Sequence, residues 1–213
     1  MALPIRPLSD IHGFDRGTPV DRYYIERFLK LNSALIRGSA AELKDDGYVR
    51  RFGGSAVTKC EIIDIDRSNA RATLLADLTV RRSLPQERFD CVICTQAVQF
   101  FTSIESALGN FWQSIRPGGA LLLTAPAVGR LSVSIPGIDY WRLNPPGVRL
   151  LFDSWDGEVT ITSFGNMRAC LAMLLGEAAE ELTQEELETQ DPAFPLISCV
   201  VAYRGERAGQ DRV

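Results

Sequence analysis

The spacing of apolar residues along this chain predicts alternating strands and helices. Five runs between residues 39 and 126 have the length of a buried strand: SAAEL, KCEIIDID, ATLLADL, FDCVICT and GALLLTAP. Several are apolar at successive positions, which is typical of strands in a sheet covered on both faces. Helical spacing marks TPVDRYYIERFLKLNSALIRG, where Thr18 is predicted to cap the helix and Gly38 to end it.

The order of the remaining segments indicates the fold class. SIESALGNFWQSIRPGG, between the last two runs, predicts a helix capped near Ser103, and strand–helix–strand order implies right-handed parallel crossovers. Further on, NPPGVRLLFDSW predicts a short helix, EVTITSF a strand, NMRACLAMLLGEAAEEL a helix capped by Asn166, TQEELE a turn with a capping box and LISCVVAYR a final strand. We therefore expect a Rossmann-like α/β fold, with a mostly parallel central sheet, helices on both faces and an antiparallel edge strand.

The chain is expected to form one domain. It has 213 residues, no internal repeat and no linker rich in Gly, Ser or Pro. Residues 1–17 form an N-terminal segment before the first helix, and residues 205–213 are expected to be a frayed tail.

Composition excludes several classes of partner. The formal charge of −4 and the pI near 5.2 provide no basic surface for nucleic acid. No apolar run approaches the ~20 residues of a membrane span, and the first residues lack the apolar core of a signal peptide. We expect a cytoplasmic protein that binds neither nucleic acid nor membrane.

The cysteines and the single histidine argue against a metal site. The five cysteines lie mostly in apolar runs and are expected to be reduced and to pack as small hydrophobes. Cys91 and Cys94 have redox spacing, but on a strand their side chains would point to opposite faces. His12 is the only histidine, and there is no second cysteine pair, so no zinc site is expected.

Acidic residues follow the first three predicted strands. Glu42 ends the first, Asp64 and Asp66 end the second, and Asp77 ends the third. Ligands of open α/β sheets bind outside the carboxyl ends of the strands, where a carboxylate is able to accept hydrogen bonds from both hydroxyls of a ribose. The alternative is that Asp64 and Asp66 only cap a turn.

These runs resemble the class I S-adenosylmethionine-dependent methyltransferases, particularly the type 11 group. The resemblance rests on AAEL, IIDID, LLADL, FDCVICTQAVQF and FWQSIRPGGALLLTAP, and it extends from about Thr18 to Tyr203. GFDRGTPVDRYYIERFL, DDGYVRRFGG and DYWR are similar to bacterial members found beside glycosyltransferases or in natural-product clusters. The resemblance implies the class I methyltransferase fold and S-adenosylmethionine as the cofactor.

The resemblance also implies roles for individual residues. Glu42 would lie near the methionine part of the cofactor, Asp66 would hold the ribose, and Asp77 with Leu78 would meet the adenine. Thr95 and Gln96 would face the methyl-transfer channel. The cofactor-binding turn after the first strand would comprise Lys44, Asp46 and Gly47.

Lys44 departs from the family pattern, which has a glycine there so that the backbone approaches the cofactor without an intervening Cβ. Asp45 and Asp46 occupy the centre of the turn. Two outcomes stay open. Lys44 points to solvent or pairs with the cofactor's carboxylate and binding is retained, or the turn is closed and the domain is a scaffold or catalyses a different reaction in its pocket.

Methyl transfer from a sulfonium depends mainly on positioning, since the leaving group is already activated. His12 and Gln96 are candidate catalytic residues, and His12 is the side chain whose ordinary pKa lies nearest neutrality. The alternative for His12 is that it is a surface residue with no part in catalysis. Candidate acceptor-binding residues are Tyr23, Tyr24, Tyr140, Trp141 and Arg142, although aromatic residues at helical or strand spacing more often pack in the core. We expect methylation of an oxygen or nitrogen on a small molecule, a sugar or secondary metabolite; the oligomeric state stays open, with a homodimer as one option.

Overall fold

Seven strands form one mixed sheet in the computed structural model, which describes residues 4–132 and 137–205. The strands are β1 (Gly38–Leu43), β2 (Val57–Asp64), β3 (Leu74–Leu75), β4 (Phe89–Thr95), β5 (Ile115–Pro126), β6 (Val159–Phe164) and β7 (Ile197–Tyr203). Their order is β3-β2-β1-β4-β5-β7-β6. Strands β1 to β5 pair in parallel, whereas β7 is antiparallel to both β5 and β6. The predicted fold class is confirmed, and the antiparallel strand lies one place in from the sheet edge.

Helices cover both faces of this sheet, and each face has its own core. The helices are α1 (Val20–Leu31), α2 (Ile104–Ser114), α3 (Pro145–Leu151), α4 (Met167–Leu175) and α5 (Gln184–Glu188). Buried residues of α1, α4 and α5 join one apolar cluster, and those of α2 and α3 join the other. Successive strand residues alternate between the two clusters, because their side chains point to opposite faces.

The cysteines follow this alternation. Cys91 packs in the cluster with α1, and Cys94 packs in the cluster with α2. Both thiols are fully buried, and burial raises the pKa of each to about 12. Thiols in such surroundings are inert, so the redox spacing of the pair reflects core packing.

Several predicted boundaries shift for local reasons. Helix α1 begins after Pro19, and Thr18 is not its cap, because the Thr18 hydroxyl donates to Glu180 at 2.7 Å. The helix ends at Leu31, and Gly38 opens β1 instead of ending a helix. Helix α4 ends at Leu175, seven residues earlier than expected, since Gly176 adopts a left-handed conformation with φ 77°. The capping box of α5 and the Ser103 and Asn166 caps are present.

The N-terminal segment is joined to the far end of the chain. The amide of Leu8 donates to the carbonyl of Leu175 at 2.7 Å, and Arg16 pairs with Glu181. At the other terminus, Gly205 donates to Asp156 at 3.0 Å, and the rest of the predicted tail lies outside the described residues. Within the described ranges, no helix has the length and apolarity that crossing a bilayer requires.

Candidate functional site

A cavity of about 660 Å³ opens at the carboxyl ends of β1 and β4. These neighbouring strands flank the point where the strand order reverses, which is where open α/β sheets bind ligands. The end of β1 contributes Glu42 to the cavity wall and the turn after it contributes Lys44 and Gly47, while Thr95 ends β4 and Gln96 follows it. The topology therefore brings together five of the predicted site residues.

The other walls come from distant parts of the sequence. The N-terminal segment contributes His12 and Phe14, and α1 contributes Asp21 and Arg22. The loop that follows β5 adds another group: Val128, Gly129, Arg130, Ser132, Asp139 and Arg142. The volume of the cavity lies in the range of small-molecule sites.

Lys44 adopts the backbone conformation that glycine favours. Its φ is 73°, in the left-handed region. The turn is held in place because the Lys44 amide donates to Ile63 at 2.9 Å and the Lys44 carbonyl accepts from the Asn69 side chain at 2.8 Å. A side chain in this region strains the backbone by about 1–3 kcal/mol. The lysine therefore occupies a turn whose shape is that of the expected glycine.

Gln96 repeats this feature at the end of β4. Its φ is 47°, and its amide donates to the Thr124 carbonyl at 3.1 Å. Left-handed non-glycine residues thus follow both strands at the switch point. Strained backbone of this kind tends to cluster at functional sites.

Glu42 holds the turn after β1 in place through buried hydrogen bonds. The side chain is buried, with 3% exposure, and one carboxylate oxygen accepts from the amides of Tyr48 at 3.0 Å and Val49 at 2.8 Å. Burial raises the pKa of Glu42 to about 7, and these two amides partly offset that rise. Glu42 therefore sets the path of the chain out of the strand.

Asp46 lies outside the cavity, contrary to its predicted cofactor contact. It is buried, and its carboxylate pairs with Arg50 and Arg71. Arg50 and Arg71 each contact one oxygen of this carboxylate. Asp46 therefore links the turn after β1 to the loop after β2.

The residues predicted to bind adenosine also lie outside the cavity wall. Asp66 accepts from the amide and hydroxyl of Ser68, and Asp77 accepts in the same way from Thr79. Leu78 is buried in the cluster with α2. Asp64 accepts from the Asp66 amide at 3.0 Å, so the turn-capping alternative describes both residues of that pair. A ribose would have to replace the hydrogen bonds that Asp66 makes to Ser68.

Four of the five predicted acceptor-binding residues lie elsewhere, and only Arg142 of this set lines the cavity. Tyr24 is fully buried, donates to the Leu187 carbonyl at 2.9 Å and stacks on Phe164, while Tyr23 packs edge-on against it. Trp141 donates to the Phe101 carbonyl at 2.8 Å, and Tyr140 is exposed. Aromatic residues at helical spacing more often pack in the core, and Tyr24 does so.

Tyr24→Phe is expected to lower the free energy of unfolding by about 1 kcal/mol, because the Leu187 carbonyl loses its shorter hydrogen bond and keeps the 3.5 Å contact from Gln190. Urea denaturation measures this effect. Tyr23→Phe is the matched control: Tyr23 is half-buried beside Tyr24, but among the described residues its hydroxyl makes no hydrogen bond, so the change in stability should be less than about 0.5 kcal/mol. Equal losses in the two variants would contradict the role given to the Tyr24 hydroxyl.

His12 stands in the cavity wall, within range of the charges of Arg130 and Asp21. Its backbone is left-handed, with φ 62°. Burial and the positive charge of Arg130 lower the pKa of His12, and Asp21 acts in the opposite direction. Burial also raises the pKa of Asp21. This arrangement keeps the imidazole neutral near pH 7, the form that accepts a proton.

Four cavity residues have no signal in the sequence that would mark them: Asp21, Arg22, Gln99 and Arg130. Gln99 follows β4, and its amide nitrogen donates to the Gln96 carbonyl at 2.9 Å, supporting the strained residue. The others meet only because the N-terminal segment and the loop after β5 fold over the same strand ends.

Comparison with known proteins agrees with this geometry. Residues 47–123 match a family model described as a methyltransferase domain, and the strand order and switch-point cavity are those expected of it. The chain has the class I methyltransferase fold. The resemblance predicted from the sequence is confirmed. No curated protein sequence matches the chain significantly.

Several solved structures share this methyltransferase fold. The [4+2]-cyclase SpnF superposes with a TM-score of 0.60 at 11% identity, covering 95% of this chain and 89% of its own. A SAM-dependent methyltransferase from Archaeoglobus fulgidus gives a TM-score of 0.56 at 12% identity, covering 86% and 94%. An S-adenosylmethionine-dependent methyltransferase from Mesorhizobium loti gives 0.54 at 16% identity, covering 90% and 100%.

Proposed function

We propose that this protein transfers a methyl group from S-adenosylmethionine to an oxygen or nitrogen of a small molecule, a sugar or secondary metabolite. The observation that carries the proposal is the cavity at the switch point, whose wall includes the turns after both β1 and β4. The match to a methyltransferase domain supports the same reaction class.

The charges around the cavity fit the amino-acid end of the cofactor. The exposed Asp45 and Lys44 lie in this part of the cavity wall and carry the charges that would complement the cofactor's ammonium and carboxylate groups. When bound, S-adenosylmethionine supplies a methyl group already activated on a sulfonium. The protein's own contribution is to orient the acceptor and to keep water out.

A neutral base beside the acceptor would complete the reaction on a hydroxyl group. Methylation of a hydroxyl releases a proton, and we propose that the His12 imidazole accepts it. Asp21, which lies close enough to raise the pKa of His12, would stabilise the imidazolium that forms. Gln96 would position the reacting group at the end of β4.

Calorimetric titration with S-adenosylmethionine and S-adenosylhomocysteine tests the proposal, with Lys44→Gly as the informative variant. Glycine removes the side-chain stem from the cavity wall and adopts φ 73° without strain, so we expect binding to tighten by about 1 kcal/mol. Lys44→Ala is the matched control, since it removes the ammonium group and keeps the Cβ.

The salt dependence separates the two roles of Lys44. If both variants bind more weakly, and the loss is larger at low salt, the ammonium group pairs with the cofactor's carboxylate. No detectable heat for either wild type or Lys44→Gly up to millimolar ligand would rule out the proposed function.

A different reaction in the same pocket is the second candidate. The observation that favours it is that Asp66, Asp77 and Leu78 are engaged in turns and core, away from the cavity. The [4+2]-cyclase SpnF shares the fold, so the fold is compatible with a reaction of another class. Failure of the titration above would favour this candidate.

A further inference from the structure

The cavity wall carries more positive charge than S-adenosylmethionine accounts for. Five lysine and arginine side chains line it: Arg22, Lys44, Arg51, Arg130 and Arg142. Arg51 pairs with Glu26 at 2.5 Å, and Arg142 pairs with Asp139 at 2.5 Å. The cofactor has one carboxylate, for which the exposed Lys44 is available. Arg22 and Arg130 remain.

These two arginines are held by neutral groups. The Arg22 guanidinium donates to the Tyr48 hydroxyl and lies 5.8 Å from the Phe14 ring centroid and 5.4 Å from that of Tyr48. Arg130 donates to the carbonyls of Ser9 at 3.0 Å and Asp10 at 3.2 Å. Among residues 4–132 and 137–205, no ion pair involves either guanidinium. Both guanidinium groups are thus held by neutral partners, with no carboxylate at ion-pair distance in the part of the chain that the structure describes, although the charges of Asp21 and Glu26 act on Arg22 from further away.

The acidic groups around the cavity are already engaged. Glu42 accepts from backbone amides, Asp45 accepts from the Gly47 amide at 2.9 Å, and Asp139 is paired with Arg142. Asp21 accepts from the Arg22 amide at 2.9 Å and lies close enough to Arg22 and His12 to affect their charge.

From this arrangement we propose that Arg22 and Arg130 bind a phosphate group on the methyl acceptor. Both side chains contact the N-terminal segment on either side of His12, so they stand on one wall of the cavity. Guanidinium groups match phosphate oxygens in geometry, and a phosphate monoester carries a charge of about −1.5 to −2 near neutral pH, which two cations balance. The inference rests on the proposed function, and it narrows the acceptor to phosphorylated small molecules.

Titration with inorganic phosphate tests the site, at constant ionic strength maintained with chloride. We expect phosphate to bind the wild type, and Arg22→Gln and Arg130→Gln each to weaken its binding about tenfold. Arg22→Lys keeps the charge and should lose less than Arg22→Gln. Arg81→Gln, at an exposed position outside the cavity, is the matched control and should bind like the wild type. Absence of phosphate binding in the wild type, or an equal loss in Arg81→Gln, would overturn the proposal.

Repeating the titration with saturating S-adenosylhomocysteine separates the two proposals. Phosphate that still binds beside this ligand supports an acceptor subsite. Competition between the two would overturn the inference, because the arginines would then hold the cofactor's carboxylate. If S-adenosylhomocysteine does not bind but phosphate binds with the expected variant pattern, the proposed function fails and the phosphate site stands.

Discussion

At pH 8 the Glu42→Gln variant is expected to be more stable than the wild type by about 3 kcal/mol, and near pH 4 the difference should vanish. The pKa of Glu42 is raised to about 7 by burial, from 4.5. The folded protein then holds a proton that the unfolded chain releases between these values, so its stability falls as pH rises from 4.5 to 7. Glutamine stays neutral, and its oxygen is able to accept from Tyr48 and Val49, because Glu42 Oε2 accepts both amides in the wild type, while Oε1 accepts from Tyr48 only at the longer distance of 3.3 Å.

Urea denaturation at several pH values measures this effect, and Glu61→Gln is the matched control with the opposite sign. Glu61 is also buried, but hydrogen bonds from Arg88 and Lys59 outweigh burial and hold its pKa below the usual range. Its contribution to stability is therefore present above the ordinary carboxyl pKa and is lost in acid. A Glu42→Gln variant that is less stable than wild type at pH 8 would show that the carboxylate charge supports the turn.

His12→Asn is expected to slow methyl transfer to a hydroxyl acceptor by about 100-fold, with little effect on cofactor binding, since a positioned base typically contributes at least this factor. Burial and Arg130 lower the pKa of His12, so wild-type activity should fall only when the pH drops below 6.5. Because His12 is the sole histidine, its imidazole signal in an NMR titration reports this pKa without assignment.

The control is Asp21→Asn, which should lower the His12 pKa further because it removes the charge that raises it. A His12 pKa above 6.5, or a change in rate of only a few-fold in His12→Asn, would contradict the role as base. The reaction would then depend on positioning alone.

The fold was predictable because its signals are local. FDCVICT places apolar side chains on both faces of the sheet and forms β4 with the predicted bounds. Asn166 and Thr183 cap the helices that follow them. Boundaries were missed where a competing local contact decides, as when Thr18 bonds to Glu180 instead of capping α1. ATLLADL yields only a two-residue strand.

The candidate site was predictable only where it follows from strand order. The ends of β1 and β4 were found because parallel strands place their carboxyl ends together. Arg22 and Arg130 are 108 positions apart in the sequence, and no pattern in either segment indicates that both contact the N-terminal segment. The roles predicted for Asp66 and Asp77 compete with a second use of such residues, because an acid at a strand end also caps the chain reversal there, as both do.

The attachment of the N-terminal segment to residues 175–181 has a consequence for synthesis of the protein. Leu8, Arg16 and Thr18 find their partners about 160 positions later in the chain. A ribosome adds roughly 5–20 residues each second, so the segment waits for many seconds while the sheet is being built. His12 and Phe14 are therefore expected to join the cavity wall only after α4 has emerged, so the cavity is completed late in synthesis.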